Sequence, residues 1–477
     1  MARKDRVDGE EREPMPGTWE ADALVIFGVT GDLAQKMTFP ALYRLERRGL
    51  LDCPVIGLAG RELTDAQLVE RAREAVEAAE PSVNEAVFDR LASRLSYIHG
   101  DLQGPDPYHR LADRLGGRRS PLFYLETPPS LFTPIVDQLA AARLLGQARV
   151  ALEKPFGHGL ASARALNRQL TQVLDEGQIL RVDHFLGKEP VIELEYLRFA
   201  NSALAEVWHR DSVSAVQITL AEEFGVEQRG RFYDAVGAVR DVVQNHLLLV
   251  LALVAMDPPV GSSAADLWAK RVEVLRAMPE AAAHDCVLGQ YTGYQEISGV
   301  APGSTTETYA ALRLGIDNWR WAGVPILIRA GKRLPVRVTE VRLILREPPT
   351  LSFLPDPCRV AGNQLVLRID PEAGMRLQLS ALDENSAWRM VPLDNVFARE
   401  LGAPLAPYER LLYAALTGDD RYFAPQDVVE QCWRIVQPLL TYPPPVHPYP
   451  PGSWGPPQAD ALVAAGVPWQ RPWVPGG

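Results

Sequence analysis

Lysine is nearly missing from this chain: of 49 basic side chains among 477 residues only six are lysines, Lys4, Lys36, Lys154, Lys188, Lys270 and Lys332. A compact, rotatable ammonium is not equivalent to a planar guanidinium, so the positions that keep one draw attention. Three stand beside glycine or proline, in EKPFG, FLGKEP and RAGKRL. Cysteine is sparse too. Cys53, Cys286, Cys358 and Cys432 lie far apart with no CxxC, which suggests neither a zinc site nor a disulfide framework and fits a reducing, cytoplasmic setting. The longest apolar run, residues 247–256, is about half the roughly 20 residues of a membrane-spanning helix and reads as a buried helix. Residues 1–20 mix both charge signs and lack the apolar stretch of a signal peptide, so they read as a loose tail. A formal net charge of −11 argues against nucleic acid or an anionic membrane as partner, because a negative field repels phosphate. A phosphorylated ligand would need positive charge gathered locally.

With 47% hydrophobic and 23% charged residues the chain can bury two substantial cores. From residue 23, short apolar runs alternate with amphipathic stretches: ALVIF, a helix over about 33–48, VIGLAG, a helix over 65–79, LFYLE, a helix over 132–144 and VALE. That βαβ rhythm predicts a Rossmann-type doubly wound parallel sheet over 21–183. From 184 to 441 the alternating runs VSAVQITLAEEF, TYAALRLGI, VPILIRAG, EVRLILRE, QLVLRI and MRLQLSAL predict an α+β domain with a large, mainly antiparallel sheet. The proline-rich stretch 442–477 cannot form regular helix and reads as an irregular strap over the domain surface.

GVTGDLA, residues 28–34, joins the first strand to a helix. Small residues there let the backbone approach a pyrophosphate, and a helix amino terminus offers free N–H groups. Gly28, Thr30, Gly31, Asp32 and Leu33 are therefore candidate cofactor contacts, although a tight turn capped by Asp32 fits equally well. Near the end of the second strand an arginine would favour a 2′-phosphate. Arg61 stands there, with a solvated loop arginine as the alternative.

RVDHFLGKEP carries Asp183, His184 and Lys188 immediately before a helix with Pro190 in its first turn. Lys188 with His184 can hold a phosphate by charge and hydrogen bonding; a capping aspartate and a surface lysine are the plain alternative. In RDVVQNH, His246 precedes the wholly apolar stretch. Oxidising an alcohol or hemiacetal needs a base for the hydroxyl proton, and imidazole suits that near neutrality. Asp183 could orient the ring. A lone histidine is more often a hydrogen-bonded core residue, so His246 needs support from its neighbours.

Taken in order, GVTGDLA, EKPFG, RVDHFLGKE, RDVVQNHLL and VPILIRAGKRLP, spanning the chain from residue 23 to the GSWGP of the tail, resemble the glucose-6-phosphate dehydrogenases. The resemblance implies oxidation of glucose 6-phosphate at C1 to 6-phosphoglucono-1,5-lactone, with hydride passed to NADP and no metal. It implies His246 as general base, Asp183 as its partner, and His184 with Lys188 on the phosphate. Glu222, Asp241, Lys332 and Arg337 would bind the sugar oxygens and phosphate region. Lys154, before a Pro155 whose peptide bond that family holds cis, would lie between substrate and cofactor. A homodimer or homotetramer built through the second domain's sheet is implied as well.

The chain departs from that family's pattern at three places. Met37 and Gly60 stand where lysine and arginine are usual, and Phe185 replaces a tyrosine whose phenol would hydrogen-bond the phosphate, a loss of about 0.5–3 kcal/mol. Arg61 can substitute for the arginine missing at Gly60; if it points away, NAD is accepted as well or preferred. Two other readings compete. One is a sugar oxidoreductase of the glucose–fructose oxidoreductase type, which lacks the RVDHFLGKE and QNH pair; the other is a non-catalytic regulatory paralogue.

Overall fold

The structure is a computed structural model that describes residues 19–349, 362–384, 388–397, 405–463 and 467–474. Most of the tail expected over 1–20, and Cys358, therefore lie outside the described residues. The chain divides into two compact units, one drawn from within Met1–Glu126, Gln138–Ala151 and Leu412–Asp420, the other from within Thr127–Asp137, Leu152–Leu411 and Arg421–Gly477. Each is assembled from separate stretches of sequence.

Strands β1 (Ala23–Phe27), β2 (Val55–Ala59), β3 (Leu95–His99), β4 (Pro121–Leu125), β5 (Arg149–Glu153) and β6 (Ile179–Val182) form a six-stranded sheet in the order β3-β2-β1-β4-β5-β6. The β1–β2, β1–β4 and β2–β3 pairs are all parallel. Every residue of β1, β2 and β4 is buried, as expected of strands covered on both faces. Strand order reverses between β1 and β4. Outside the carboxyl ends of such a pair is where open α/β sheets bind ligands, and Gly28 follows β1 directly.

A second sheet, within the second unit, has nine strands: β7 (Val213–Ala221), β8 (Cys286–Tyr291), β9 (Tyr309–Leu314), β10 (Ile326–Gly331), β11 (Val338–Leu345), β12 (Gln364–Asp370), β13 (Gly374–Leu382), β14 (Trp388–Val396) and β15 (Val446–Tyr449). Their order is β14-β13-β12-β11-β7-β10-β9-β8-β15. The sheet is mainly antiparallel as the sequence predicts, but β7–β10 and β8–β15 run parallel. The apolar run forms the helix Leu248–Ala255, buried at all eight positions, and packs in one core with Val216, Ile218, Ile326 and Ile328 of the sheet. Among the described residues no single helix is long and apolar enough to cross a membrane.

The proline-rich end is more regular than expected. Residues 446–449 pair as β15 despite Pro448, a position tolerated because β15 is an edge strand. Beyond it, Trp473 lies 3.9 Å from the Arg368 guanidinium and Trp469 lies 4.8 Å from that of Arg329. The Tyr449 hydroxyl donates to the Lys332 carbonyl at 2.7 Å. The strap thus pins the backbone of one of the six lysines.

Candidate active site

The turn after β1 is tight. Gly28 has φ +82°, a left-handed conformation that side chains disfavour, and the Gly31 N–H donates to its carbonyl at 2.8 Å. A Cβ on Gly31 would lie 3.1 Å from that carbonyl, so a larger residue there would crowd the turn that leads into the helix, the kind of place where a pyrophosphate can bind. Thr30 and Leu33 are half-buried beside it. Asp32 does not cap the turn: it already has helical conformation, and its exposed carboxylate pairs with Lys36 at 3.4 Å.

Arg61 is exposed two residues beyond β2. Its carbonyl and that of Ala59 both accept from the buried Tyr97 hydroxyl, so the backbone is pinned while the side chain stays on the surface. A second guanidinium, missed in the sequence, faces this region. Arg71 donates through Nη2 to the Thr30 carbonyl at 3.2 Å, its buried Nε has no hydrogen-bond partner among the described residues, and its charge and that of Arg61 both reach the Tyr97 phenol. A Cβ on Gly60 would meet nothing closer than the Gly100 carbonyl at 3.9 Å. The missing arginine therefore reflects no lack of room.

In the second unit, β6 delivers Asp183 into a compact turn. The Phe185 N–H donates to Asp183 Oδ1 at 2.9 Å, and the Leu186 and Lys188 N–H groups close onto the Asp183 and Phe185 carbonyls. Lys188 becomes the residue before the helix Glu189–Phe199, with Pro190 in its first turn, a place that costs no hydrogen bond.

Asp183 and His246 meet as the sequence suggests. Nδ1 of His246 lies 2.7 Å from Oδ1 and 2.9 Å from Oδ2 of Asp183, and both residues are 3% exposed. On the other ring nitrogen, the Lys154 ammonium stands 3.0 Å from Nε2. It also donates to the Asp241 carbonyl at 3.1 Å. The Lys154–Pro155 bond is cis. These contacts set the tautomer: Nδ1 carries the proton given to the carboxylate, and Nε2 keeps a lone pair.

Electrostatics favour the same state. Burial, reinforced by Lys154, holds the His246 pKa below the ordinary imidazole value although Asp183 pulls it up. Burial alone would raise the Asp183 carboxyl, but its pairing and hydrogen bond with His246, with the Lys154 ammonium beyond, hold it well below the usual carboxylate range. An ionised carboxylate behind a neutral imidazole follows. Asp183, His184 and His246 are close enough together for a metal ion, yet protein groups already engage both ring nitrogens of His246.

Phe185 finds a different use from the one its lost phenol implies. It is buried and stacks on the His246 ring, centroids 4.9 Å apart and planes 23° from parallel, while the Lys188 ammonium lies 4.6 Å from its own ring centre. His184 meets the His246 ring edge-on at 4.9 Å and lies parallel to Tyr408 at 6.2 Å. Burial, with His246 and the Lys154 and Lys188 ammoniums nearby, pushes its pKa down to about 3.

The remaining predicted residues fall into two groups. Lys332 pairs with Glu222 at 2.5 Å and, with Asp241, lines a cleft of about 380 Å³ that Phe224, Arg229, Phe232 and Tyr233 also border. Lys188 and Arg337 instead converge on Asp370, at 3.5 Å and 2.9 Å. Nothing in the sequence singles out Asp370.

His246 rides on an unusually wide helical stretch, the π-helix Val239–Leu247. Such insertions often mark functional sites. Asn245 helps satisfy its backbone, accepting from the His246 N–H at 2.5 Å and donating to the Arg240 carbonyl at 3.2 Å. At its start the buried Glu307 accepts from the Val239 N–H at 3.1 Å. Gly237, at φ +71°, is required there, because a Cβ would stand 2.4 Å from the Glu307 carboxylate. A 68-residue separation hid this anchor from sequence reading.

Comparison with known proteins gives a consistent picture. The model of the glucose-6-phosphate dehydrogenase NAD-binding domain matches residues 25–193, and that of the C-terminal domain of the same family matches residues 195–471. The chain is 61% identical over 461 residues to glucose-6-phosphate 1-dehydrogenase 1 of Mycobacterium tuberculosis, covering 97% of this chain and 98% of that one. It is similar to the crystal structure of glucose-6-phosphate 1-dehydrogenase from Mycobacterium avium, with a TM-score of 0.91, 61% identity, and 96% and 100% of the two chains covered. A glucose-6-phosphate dehydrogenase solved in complex with its substrate glucose-6-phosphate matches at a TM-score of 0.89 and 32% identity, again covering 96% and 100%.

Proposed function

Since the chain belongs to the glucose-6-phosphate dehydrogenase family, we propose that it oxidises glucose 6-phosphate at C1 to 6-phosphoglucono-1,5-lactone, with His246 as the general base and NADP as the hydride acceptor. The observation that carries this reading is the line Asp183–His246–Lys154, in which a buried neutral imidazole offers Nε2 and a carboxylate supports Nδ1. Nε2 takes the O1 proton while the C1–H bond gives up a hydride and the C1–O1 double bond of the lactone forms. Asp183 stabilises the imidazolium as its charge develops. When bound, the nicotinamide ring of NADP supplies the hydride acceptor. Lys154, already donating to Nε2, is placed to donate to O1 once that lone pair turns to the substrate.

In this reading residues 21–183 serve the dinucleotide and residues 184–441 the substrate. The tight turn of Gly28, Thr30, Gly31, Asp32 and Leu33 receives the pyrophosphate, and Arg61 with Arg71 favours the 2′-phosphate. Lys332 and Asp241 in their cleft, with Glu222 paired to Lys332, bind sugar oxygens, while Lys188, His184 and Arg337 hold the phosphate. A homodimer or homotetramer built on the nine-stranded sheet fits the exposed Leu379, Leu382, Val391 and Leu393 of β13 and β14. A cytoplasmic setting fits the buried Cys53, Cys286 and Cys432, which form no disulfide among the described residues.

Steady-state assay of reduced nicotinamide tests the base. His246→Asn should lower kcat by about 10²–10⁴-fold with little change in KM, and near-wild-type turnover disproves the assignment. Lys188→Ala should act mainly on KM for glucose 6-phosphate. Activity on free sugars but not on sugar phosphates would favour a glucose–fructose oxidoreductase type instead. No turnover at micromolar protein would favour a regulatory paralogue.

A further inference from the structure

Two cations assigned above to the sugar phosphate are already held by an anion of the protein itself. Arg337 presents its fork to Asp370, Nε to Oδ2 at 2.9 Å and Nη2 to Oδ1 at 3.3 Å, and Lys188 approaches the same Oδ1 at 3.5 Å. That side-on grip is how a guanidinium holds a phosphate. Three separate elements converge on the carboxylate. Asp370 ends β12, Arg337 immediately precedes β11, and Lys188 opens the helix Glu189–Phe199. The β11–β12 register shifts between Thr339 and Glu340, next to where Asp370 pairs with Thr339. The Asp370 side chain is 18% exposed and that of Arg337 57%, so the guanidinium can turn outward while the carboxylate remains.

We propose that Asp370 is a specificity-determining residue that occupies the phosphate cations as an internal anion and must be displaced by the substrate phosphate. The proposal rests on the reading of Lys188 and Arg337 as phosphate ligands. A carboxylate carries one negative charge and a phosphate monoester nearly two at neutral pH. The dianion therefore displaces Asp370, whereas a singly charged ester competes with it on equal terms. Asp370 thus weakens phosphate binding and sharpens selection for doubly charged sugar esters.

The test compares the holoenzyme with Asp370→Asn by KM for glucose 6-phosphate, Ki of inorganic phosphate as competitive inhibitor, and use of glucose 6-sulfate. Neutralising one half-buried partner should lower KM and the phosphate Ki by about three- to tenfold, and glucose 6-sulfate should gain more than glucose 6-phosphate. Unchanged or raised constants overturn the proposal. Asp370→Ser, with the same readouts, covers misfolding of the first variant. Lys188→Ala and Arg337→Ala separate the two levels of argument. If either weakens inorganic phosphate while Asp370→Asn does not tighten it, the displaced anion alone is wrong; if neither does, the phosphate assignment fails and the proposal with it.

Discussion

Replacing Asp183 by asparagine should silence the base without moving it. Asp183 Oδ1 already accepts from the Phe185 N–H at 2.9 Å, a bond the asparagine carbonyl keeps. The new amide NH2 then takes the place of Oδ2, 2.9 Å from Nδ1 of His246. Two donors then meet at Nδ1, so the tautomer that leaves Nε2 bare loses its support, while moving the proton to Nε2 sets it against another donor. A proton on Nε2 would point an N–H at the Lys154 ammonium, 3.0 Å away, and remove the lone pair needed for O1. The variant also leaves the imidazolium of the transition state buried without its counter-charge. Breaking a buried charged pair in this way costs about 3–5 kcal/mol, which at about 1.4 kcal/mol per tenfold predicts a fall in kcat of roughly 10²–10⁴-fold. KM for glucose 6-phosphate should stay near its original value, because the phosphate cations are not touched. The assay is initial-rate reduction of NADP across a range of glucose 6-phosphate, with circular dichroism to verify the fold. A kcat within tenfold of wild type would refute the account of the ring's tautomer.

The other predictions concern titration, the cofactor and the helix anchor. Because burial lowers the His246 pKa, the acid limb of kcat/KM should lie below the ordinary imidazole range, with activity falling as His246 gains a proton; a limb above it contradicts the burial. His184 should make stability fall in acid. Its folded pKa, about 3 against an ordinary 6.5, means that the unfolded chain takes up a proton first, so the urea midpoint should drop as pH falls through that window. Gly60→Arg should tighten NADP more than NAD in fluorescence titrations, since position 60 has room for a side chain, and equal effects on the two dinucleotides count against a 2′-phosphate contact. Glu307→Ala should lower kcat more than it raises KM, through loss of the Val239 anchor, with partial recovery in Glu307→Gln; matching losses in both variants would point to the charge instead.

How far the sequence disclosed this molecule depended on how local each signal was. The parallel sheet was legible because β1, β2 and β4 are apolar at every position and separated by amphipathic helices, a pattern that needs no knowledge of partners. β14 was not, since WRMVPLDNV mixes charge with an internal proline and exposes most of its residues. β15 was hidden by Pro448, which only an edge position excuses. The wide turn of Val239–Leu247 escaped because the apolar spacing of a π-helix differs little from that of an ordinary one over nine residues.

The site divides along the same line. His246, Asp183 and Lys154, which the structure brings together, could be singled out because each lies in a long motif whose chemistry is carried by its own residue types, and the resemblance set the motifs in order. Asp370, Glu307 and Arg71 carry no such mark. Each is an ordinary charged residue whose importance comes from a partner far away in the chain: Lys188 lies 182 residues from Asp370, Val239 68 from Glu307, and Thr30 41 from Arg71. Phe185 shows the converse. Its motif position was plain, and losing a hydroxyl suggested only a weaker phosphate site, whereas the structure stacks the ring on His246 with the Lys188 ammonium 4.6 Å from its centre. A tyrosine there could keep the stack while adding a donor, so the cost of the missing phenol should fall on phosphate affinity and leave the base's burial unchanged. Phe185→Tyr would therefore be expected to lower KM for glucose 6-phosphate while leaving the acid limb of the rate profile where it is, and a displaced limb would mean that the bare ring itself sets the imidazole's environment.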